Sequence, residues 1–77
     1  MTLQEFCTEI DTLLEQPPGT VKGTDKLADM GNWDSMAVIS FIAMADSKLQ
    51  SSVTAKQISG CQTVADLAAL FPGKVQG

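Results

Sequence analysis

The feature that most constrains this chain is the apolar run from Met36 to Ala45, entered through Gly31-Asn32-Trp33-Asp34-Ser35. At roughly 100° per residue, Val38, Phe41, Ile42, Ala45 and Leu49 gather on one side of a helix. Met36, Ser40, Ala43 and Ser47 gather opposite, with Ile39 and Met44 beside them. The first side needs other elements packed on it. The second is partly apolar, so it is either covered by neighbouring segments or offered to a partner. Asp34 is a residue type that caps helix starts, because its carboxylate accepts from the unpaired first-turn amides. A helix is therefore expected over about residues 35–49. Ser35 falls at its head, where the free amides and the helix dipole favour a negative group such as a phosphate ester. By itself, an Asp-Ser pair here reads as a simple cap, since such pairs cap helices routinely.

The flanking sequence supplies partners for that helix. Leu3, Phe6, Cys7, Ile10, Leu13 and Leu14 form one amphipathic stripe, and Thr2 with Glu5 makes a capping box before it. Gln4, Glu5, Thr8, Glu9, Asp11, Thr12 and Glu15 lie off the stripe and are expected in solvent. Pro17-Pro18-Gly19 ends this first helix, placed at about residues 3–15. From Gln16 to Trp33 no period emerges, and a loop that long needs buried anchors, for which Val21, Leu27 and Met30 are the apolar choices. Trp33 either packs beside the helix start or meets a partner. Thr54 caps a short helix, Ala55 to Ser59, with Gly60 suited to its end and Val53 and Ile58 pinning it. Thr63, with Asp66 three residues on, caps a last helix whose stripe is Val64, Leu67, Ala68, Leu70 and Phe71. Pro72-Gly73 stops it, and Lys74 to Gly77 reads as a frayed tail. With no strand pattern and no repeat, the expectation is an all-α bundle of three main helices and one short one, with a long loop between the first two.

Size and charge narrow the function. At 77 residues the chain has room for one domain, 1–77, with a modest core. The net charge of −4 argues against nucleic acid, which needs a basic surface. The first residues lack the basic-then-apolar order of a signal peptide, and Met36 to Ala45 is too short to span a bilayer. Cys7 and Cys61 form no CxxC pattern and read as small buried apolar residues in a reducing compartment, so a cytoplasmic location is the default. With no His, the usual Ser-His-Asp and Cys-His hydrolases are excluded, and two cysteines alone do not make a zinc site. No glycine-rich phosphate loop is present. The carboxylates sit mostly on outer helix faces, and none is placed for acid–base work. The chain reads as a non-enzyme, with no metal site.

Asp34-Ser35-Met36 resembles the Asp-Ser-Leu motif of the acyl and peptidyl carrier proteins. The likeness extends to the helix order, the mid-chain place of the motif, and the approach through Leu27, Asp29 and Gly31. It implies a small acyl-carrier-like bundle with 4'-phosphopantetheine esterified to Ser35 and acyl cargo held as a thioester. It also implies as partners a phosphopantetheinyl transferase, an acyl-loading ligase or acyltransferase, and a downstream synthase or transferase, meeting a monomer. Asp34 then helps position the transferase's metal ion, and Met36, Ile39, Ser40 and Ala43 join it as the partner face. Two departures stand out. Asp46 is the only acid between Ser35 and Leu49, where fatty-acid carriers are rich in acids. The Gly31-x-x-Asp34 spacing is one residue longer than usual and looks like the D-alanyl carrier variant. Both point to a specialised polysaccharide, polyketide or nonribosomal peptide pathway more than to housekeeping fatty-acid synthesis. The alternative is a small helical adaptor with no prosthetic group, docking through the second helix.

Overall fold

The computed structural model describes residues 1–76. Four helices follow in order: α1 (Leu3–Leu13), α2 (Ser35–Leu49), α3 (Ala55–Ser59) and α4 (Val64–Ala68). A single 3-10 turn, Leu27–Asp29, interrupts the long α1–α2 loop. The all-α expectation holds, and α2 and α3 have the limits expected of them. Helix α1 stops earlier than expected, with Glu15 already in the left-handed region at φ 59°. Helix α4 is also short. Leu70 and Phe71 follow it in tight turns closed by i→i−3 bonds to Leu67 and Ala68.

Each helix start carries a local side-chain cap. Thr2 with Glu5, Thr54 with Gln57, and Thr63 with Asp66 form reciprocal capping boxes on α1, α3 and α4. The Thr2 N–H lowers the pKa of the Glu5 carboxyl, and the Gln62 and Thr63 N–H groups lower that of Asp66. Gly60 ends α3 in right-handed geometry, so the left-handed cap that glycine favours is not what this position uses.

The core is organised by aromatic rings. Phe6 of α1, Phe41 of α2 and Phe71 after α4 are fully or almost fully buried. Their centroids lie 5.8 Å (Phe6–Phe41), 6.0 Å (Phe41–Phe71) and 6.1 Å (Phe6–Phe71) apart. The Phe6–Phe41 pair meets edge to face, at 86°. Ile10, Ala45, Ile58, Val64 and Leu67 close round them. The core face of α2 is Ala37, Phe41, Ala45 and Leu49, whereas Val38 and Ile42 are only half-buried. The face is turned toward Ala37 relative to the expected stripe. A helix with apolar residues on most sides gives sequence periodicity little to fix its rotation.

The loop is pinned through its backbone as well as through Val21 and Leu27, which are buried, and Met30, which is half-buried. Asp11, expected in solvent, is fully buried. Its carboxylate accepts from Gly19 N–H and Val21 N–H, both at 2.9 Å, and from Gln16 Nε2 at 3.0 Å. The chain turns back over α1 after Pro17-Pro18, with Gly19 at φ 90°, and brings those amides to the carboxylate. Further on, the carbonyls of Asp25 and Gly23 accept from Val64 and Ala65 N–H, capping α4 with the loop itself.

Two more expectations are corrected. The tail is tied and not frayed as far as Gln76: Gln76 exchanges bonds with Met1 and Leu3, and Lys74 Nζ donates to Leu49 O at 3.1 Å at the C-terminal end of α2. Gly77, the last residue of that expected tail, lies outside the described residues. Cys7 is buried as expected, but Cys61 is only half-buried.

Phe41→Ala should cost about 3–5 kcal/mol by emptying the centre of the aromatic cluster. Asp11→Ala should cost about 2–4 kcal/mol by leaving buried loop amides without an acceptor. Thermal or urea unfolding of the two variants checks both values. An Asp11→Ala protein as stable as wild type would return that residue to the surface.

Candidate functional site

The head of α2 is set by three contacts. Asp34 is the N-cap, and its Oδ1 accepts from Ala37 N–H at 3.0 Å. Trp33 packs its ring edge-on against Phe41, with centroids 5.9 Å apart, so the packing reading of this residue holds. The Trp33 N–H donates to Met30 O at 3.0 Å, closing the turn before the cap. Ser35 follows as the first residue of the helix and is exposed. Its position among the first-turn amides suits an oxyanion attached to its hydroxyl, since those donors have no intrahelical acceptor.

Beside Ser35 runs an open, mostly apolar groove of about 500 Å³. Leu27 and Met30 of the loop, Trp33, Val38 of α2 and Ile58 of α3 line it, and Ser35 stands among them. Val38 is thus half-buried because it faces this groove. A cavity of about 440 Å³ between α1 and the loop shares no lining residue with it and contains none of the expected site residues.

The expected partner residues share one surface. Met36 is 68% and Ile39 61% exposed, which is unusual for such side chains, and Ser40 and Ala43 are exposed with them. Asp34 adjoins them at the cap. Lys48, at the other end of the helix, is engaged with Glu9 of α1 at 3.6 Å. Burial pushes both thiols up: Cys7 also faces the charges of Asp11 and Asp25, and Cys61 that of Asp66. Both are weak nucleophiles for that reason. Among the described residues, no group of three or more carboxylates, thiols or imidazoles is placed to hold a metal ion. No helix among them is long and apolar enough to cross a membrane.

Sequence reading missed the contribution of Gln16 and Asn32, which join the approach to Ser35 through a bond of 3.0 Å. Neither residue type stands out in a loop, and the contact joins positions sixteen residues apart.

A small helical bundle that presents one serine at the head of its central helix is the form of a carrier domain. A family model described as "Phosphopantetheine attachment site" matches residues 4–71. The chain belongs to that family, and is a carrier protein that takes 4'-phosphopantetheine covalently. The adaptor alternative, which has no prosthetic group, gives way to this finding. No curated protein and no solved structure matches the chain.

The residues present fit the group: an exposed hydroxyl, helix-start donors for a phosphate, and an apolar groove alongside. Asp34→Ala should lower stability by about 1 kcal/mol through loss of the cap, while Ser35→Ala should leave it nearly unchanged. Parallel melts distinguish the two. An equal loss in Ser35→Ala would give the hydroxyl a structural role.

Proposed function

We propose that Ser35 carries the phosphopantetheine arm and that the protein presents acyl or aminoacyl intermediates to enzymes of a specialised biosynthetic pathway. The observation that carries the assignment is the exposed hydroxyl at the first position of α2, capped by Asp34 and set beside an apolar groove. A phosphopantetheinyl transferase would form the phosphodiester at Ser35 Oγ by attack of the deprotonating hydroxyl on the pantetheine-side phosphorus of coenzyme A, breaking the pyrophosphate P–O bond and releasing adenosine 3',5'-bisphosphate. When attached, the arm supplies a thiol whose thioester activates the cargo for acyl transfer. The chain's own residues contribute the attachment point, a fixed helix start and a docking face. They do no bond-making, which is why the chain is read as a carrier and not an enzyme.

The pathway reading rests on α2. Its outer surface is Met36, Ile39, Ser40 and Ala43, and Asp46 is its only acid. Enzymes that dock on a strongly acidic helix find little charge here. A polysaccharide, polyketide or nonribosomal peptide pathway fits this surface better than housekeeping fatty-acid synthesis. A loading ligase or acyltransferase and a downstream synthase or transferase would dock on the apolar residues, with Asp34 at the edge beside the transferase's metal ion. We also read residues 1–77 as one carrier domain, monomeric and cytoplasmic. In support, helices α1 to α4 all contribute to one core.

Intact mass after incubation with coenzyme A and a phosphopantetheinyl transferase should show one addition on the wild type and none on Ser35→Ala. Addition to the Ala variant would remove the assignment.

Apolar burial is insensitive to salt, whereas exposed ion pairs are screened beyond about 8–10 Å at physiological ionic strength. Affinity for a cognate ligase should therefore fall little across a salt series, yet fall strongly in Met36→Asp and Ala43→Glu, both at exposed positions. A steep salt dependence with indifference to both substitutions would place docking on the acids of other elements.

A further inference from the structure

The stretch that presents Ser35 is tied to α1 by a chain of side-chain amides that attachment chemistry alone does not call for. Asn32 Nδ2 donates to Gln16 Oε1 at 3.0 Å, and Gln16 Nε2 donates to Asp11 Oδ1 at 3.0 Å. We propose that Asp11, Gln16 and Asn32 form a positioning relay that holds the residues before Ser35 in the orientation the modifying transferase engages. The inference rests on the reading of Ser35 as the attachment residue.

The direction of the relay is dictated by its buried end. Asp11 is fully buried, and its carboxylate also receives Gly19 and Val21 N–H. Both carboxylate oxygens accept from N–H donors, so Gln16 turns its NH₂ inward to join them and its carbonyl oxygen outward. An outward oxygen needs a donor, and Asn32 supplies its NH₂. The Gln16 backbone N–H is held as well, donating to Asp11 O at 3.0 Å, so the middle member is fixed at both its main chain and its side chain.

The outer end is where restraint is needed. Asn32 and Gly31 are exposed, and beyond its two chain neighbours no residue comes within 4 Å of where a Gly31 side chain would begin. An open glycine followed by an exposed residue would leave the approach to Ser35 free to swing. The Trp33–Phe41 contact holds one side of it, and Asn32, one residue earlier, is held from α1. A segment ordered before docking loses less freedom on binding. The relay therefore acts on how readily the transferase captures the apo-protein, and not on the transfer within the docked complex.

The test uses Asn32→Ala, Gln16→Ala and the double variant, none of which adds charge. Two readouts are taken: transfer kinetics with coenzyme A and a phosphopantetheinyl transferase, and acrylamide quenching of Trp33, the only tryptophan. One lost hydrogen bond predicts a rise in KM for the apo-protein of about two- to tenfold with kcat unchanged. Trp33 quenching should rise in parallel, while the melting midpoint of Asn32→Ala falls by only the few degrees that one lost hydrogen bond accounts for. Adding Asn32→Ala to Gln16→Ala should change nothing further, because the bond is already gone. If Gln16→Ala does not fold, Asn32→Ala decides alone. Unchanged KM and quenching in Asn32→Ala, a fall in kcat in place of a rise in KM, or independent addition of the two effects would each overturn the relay. Ser35→Ala is run in the same assay. If it is still modified, the attachment reading falls and takes this inference with it. If it is inert while Asn32→Ala behaves as wild type, only the relay falls.

Discussion

The contact on which the rest depends is Phe41 with its ring neighbours. It receives Phe6 from α1, Phe71 from the chain after α4, and Trp33 from the loop, each at a centroid distance near 6 Å. In so small a domain few residues are buried at all, and stability is a small difference between large terms. One side chain touching three other segments therefore links the helices to the loop and the loop to the head of α2. Phe41 lies on α2 as Ser35 does, so the packing that holds the bundle also fixes the axis on which the serine is presented.

A loop of this length would ordinarily be the weak part of such a domain. Its order comes from backbone groups that find fixed acceptors and donors. Asp11 gathers Gly19 and Val21, while Gly23 and Asp25 lend their carbonyls to the first amides of α4. The loop thus completes two helices it does not belong to. It closes the turn after α1 and caps α4, and then reaches the head of α2 through the 3-10 turn at Leu27–Asp29. The Asp11 carboxylate is buried without cost to satisfaction, because its oxygens meet three donors.

What was legible in the sequence was what depends on neighbours a few residues away. The limits of α2 and α3 and the boxes at Thr2 and Thr63 rest on i to i+4 relationships, and the structure has them where the sequence puts them. The Thr54–Gln57 box carries the same local signal. The misplaced residues depend on distant chain. Asp11 is off the apolar stripe of its helix and becomes buried only because residues 16–21 return over it. The tail through Gln76 is ordered by Met1 and Leu3, at the other end of the chain. The rotation of α2 toward Ala37 is decided by which side α1, the loop and α3 occupy, and a helix this apolar does not announce that choice. The cap at Asp34 and the place of Ser35 as first residue of α2 were legible because capping chemistry is local. The Gln16–Asn32 link was not, because it joins two unremarkable amides across the loop.

The arrangement of α2 explains why an apolar patch can remain exposed without undoing the fold. Ala37, Phe41, Ala45 and Leu49 repeat every four residues and face the core, while Met36, Ile39, Ser40 and Ala43 fall between them on the other side. The inner set is buried and the outer set exposed, so the outer set can be chosen for a partner at little cost to stability. The apolar outer residues also stop early. Asp46, Ser47 and Lys48 are exposed and polar, Lys48 is occupied with Glu9, and the last carbonyl of the helix is occupied with Lys74. The patch is thereby confined to the turns nearest Ser35. On the proposed function this confinement is the useful property. A partner that buries Met36 and Ile39 must sit close to the root of the arm, where its own reactive centre can receive the cargo. Contact at the far end of the helix would bury less apolar surface and hold the enzyme away from the serine.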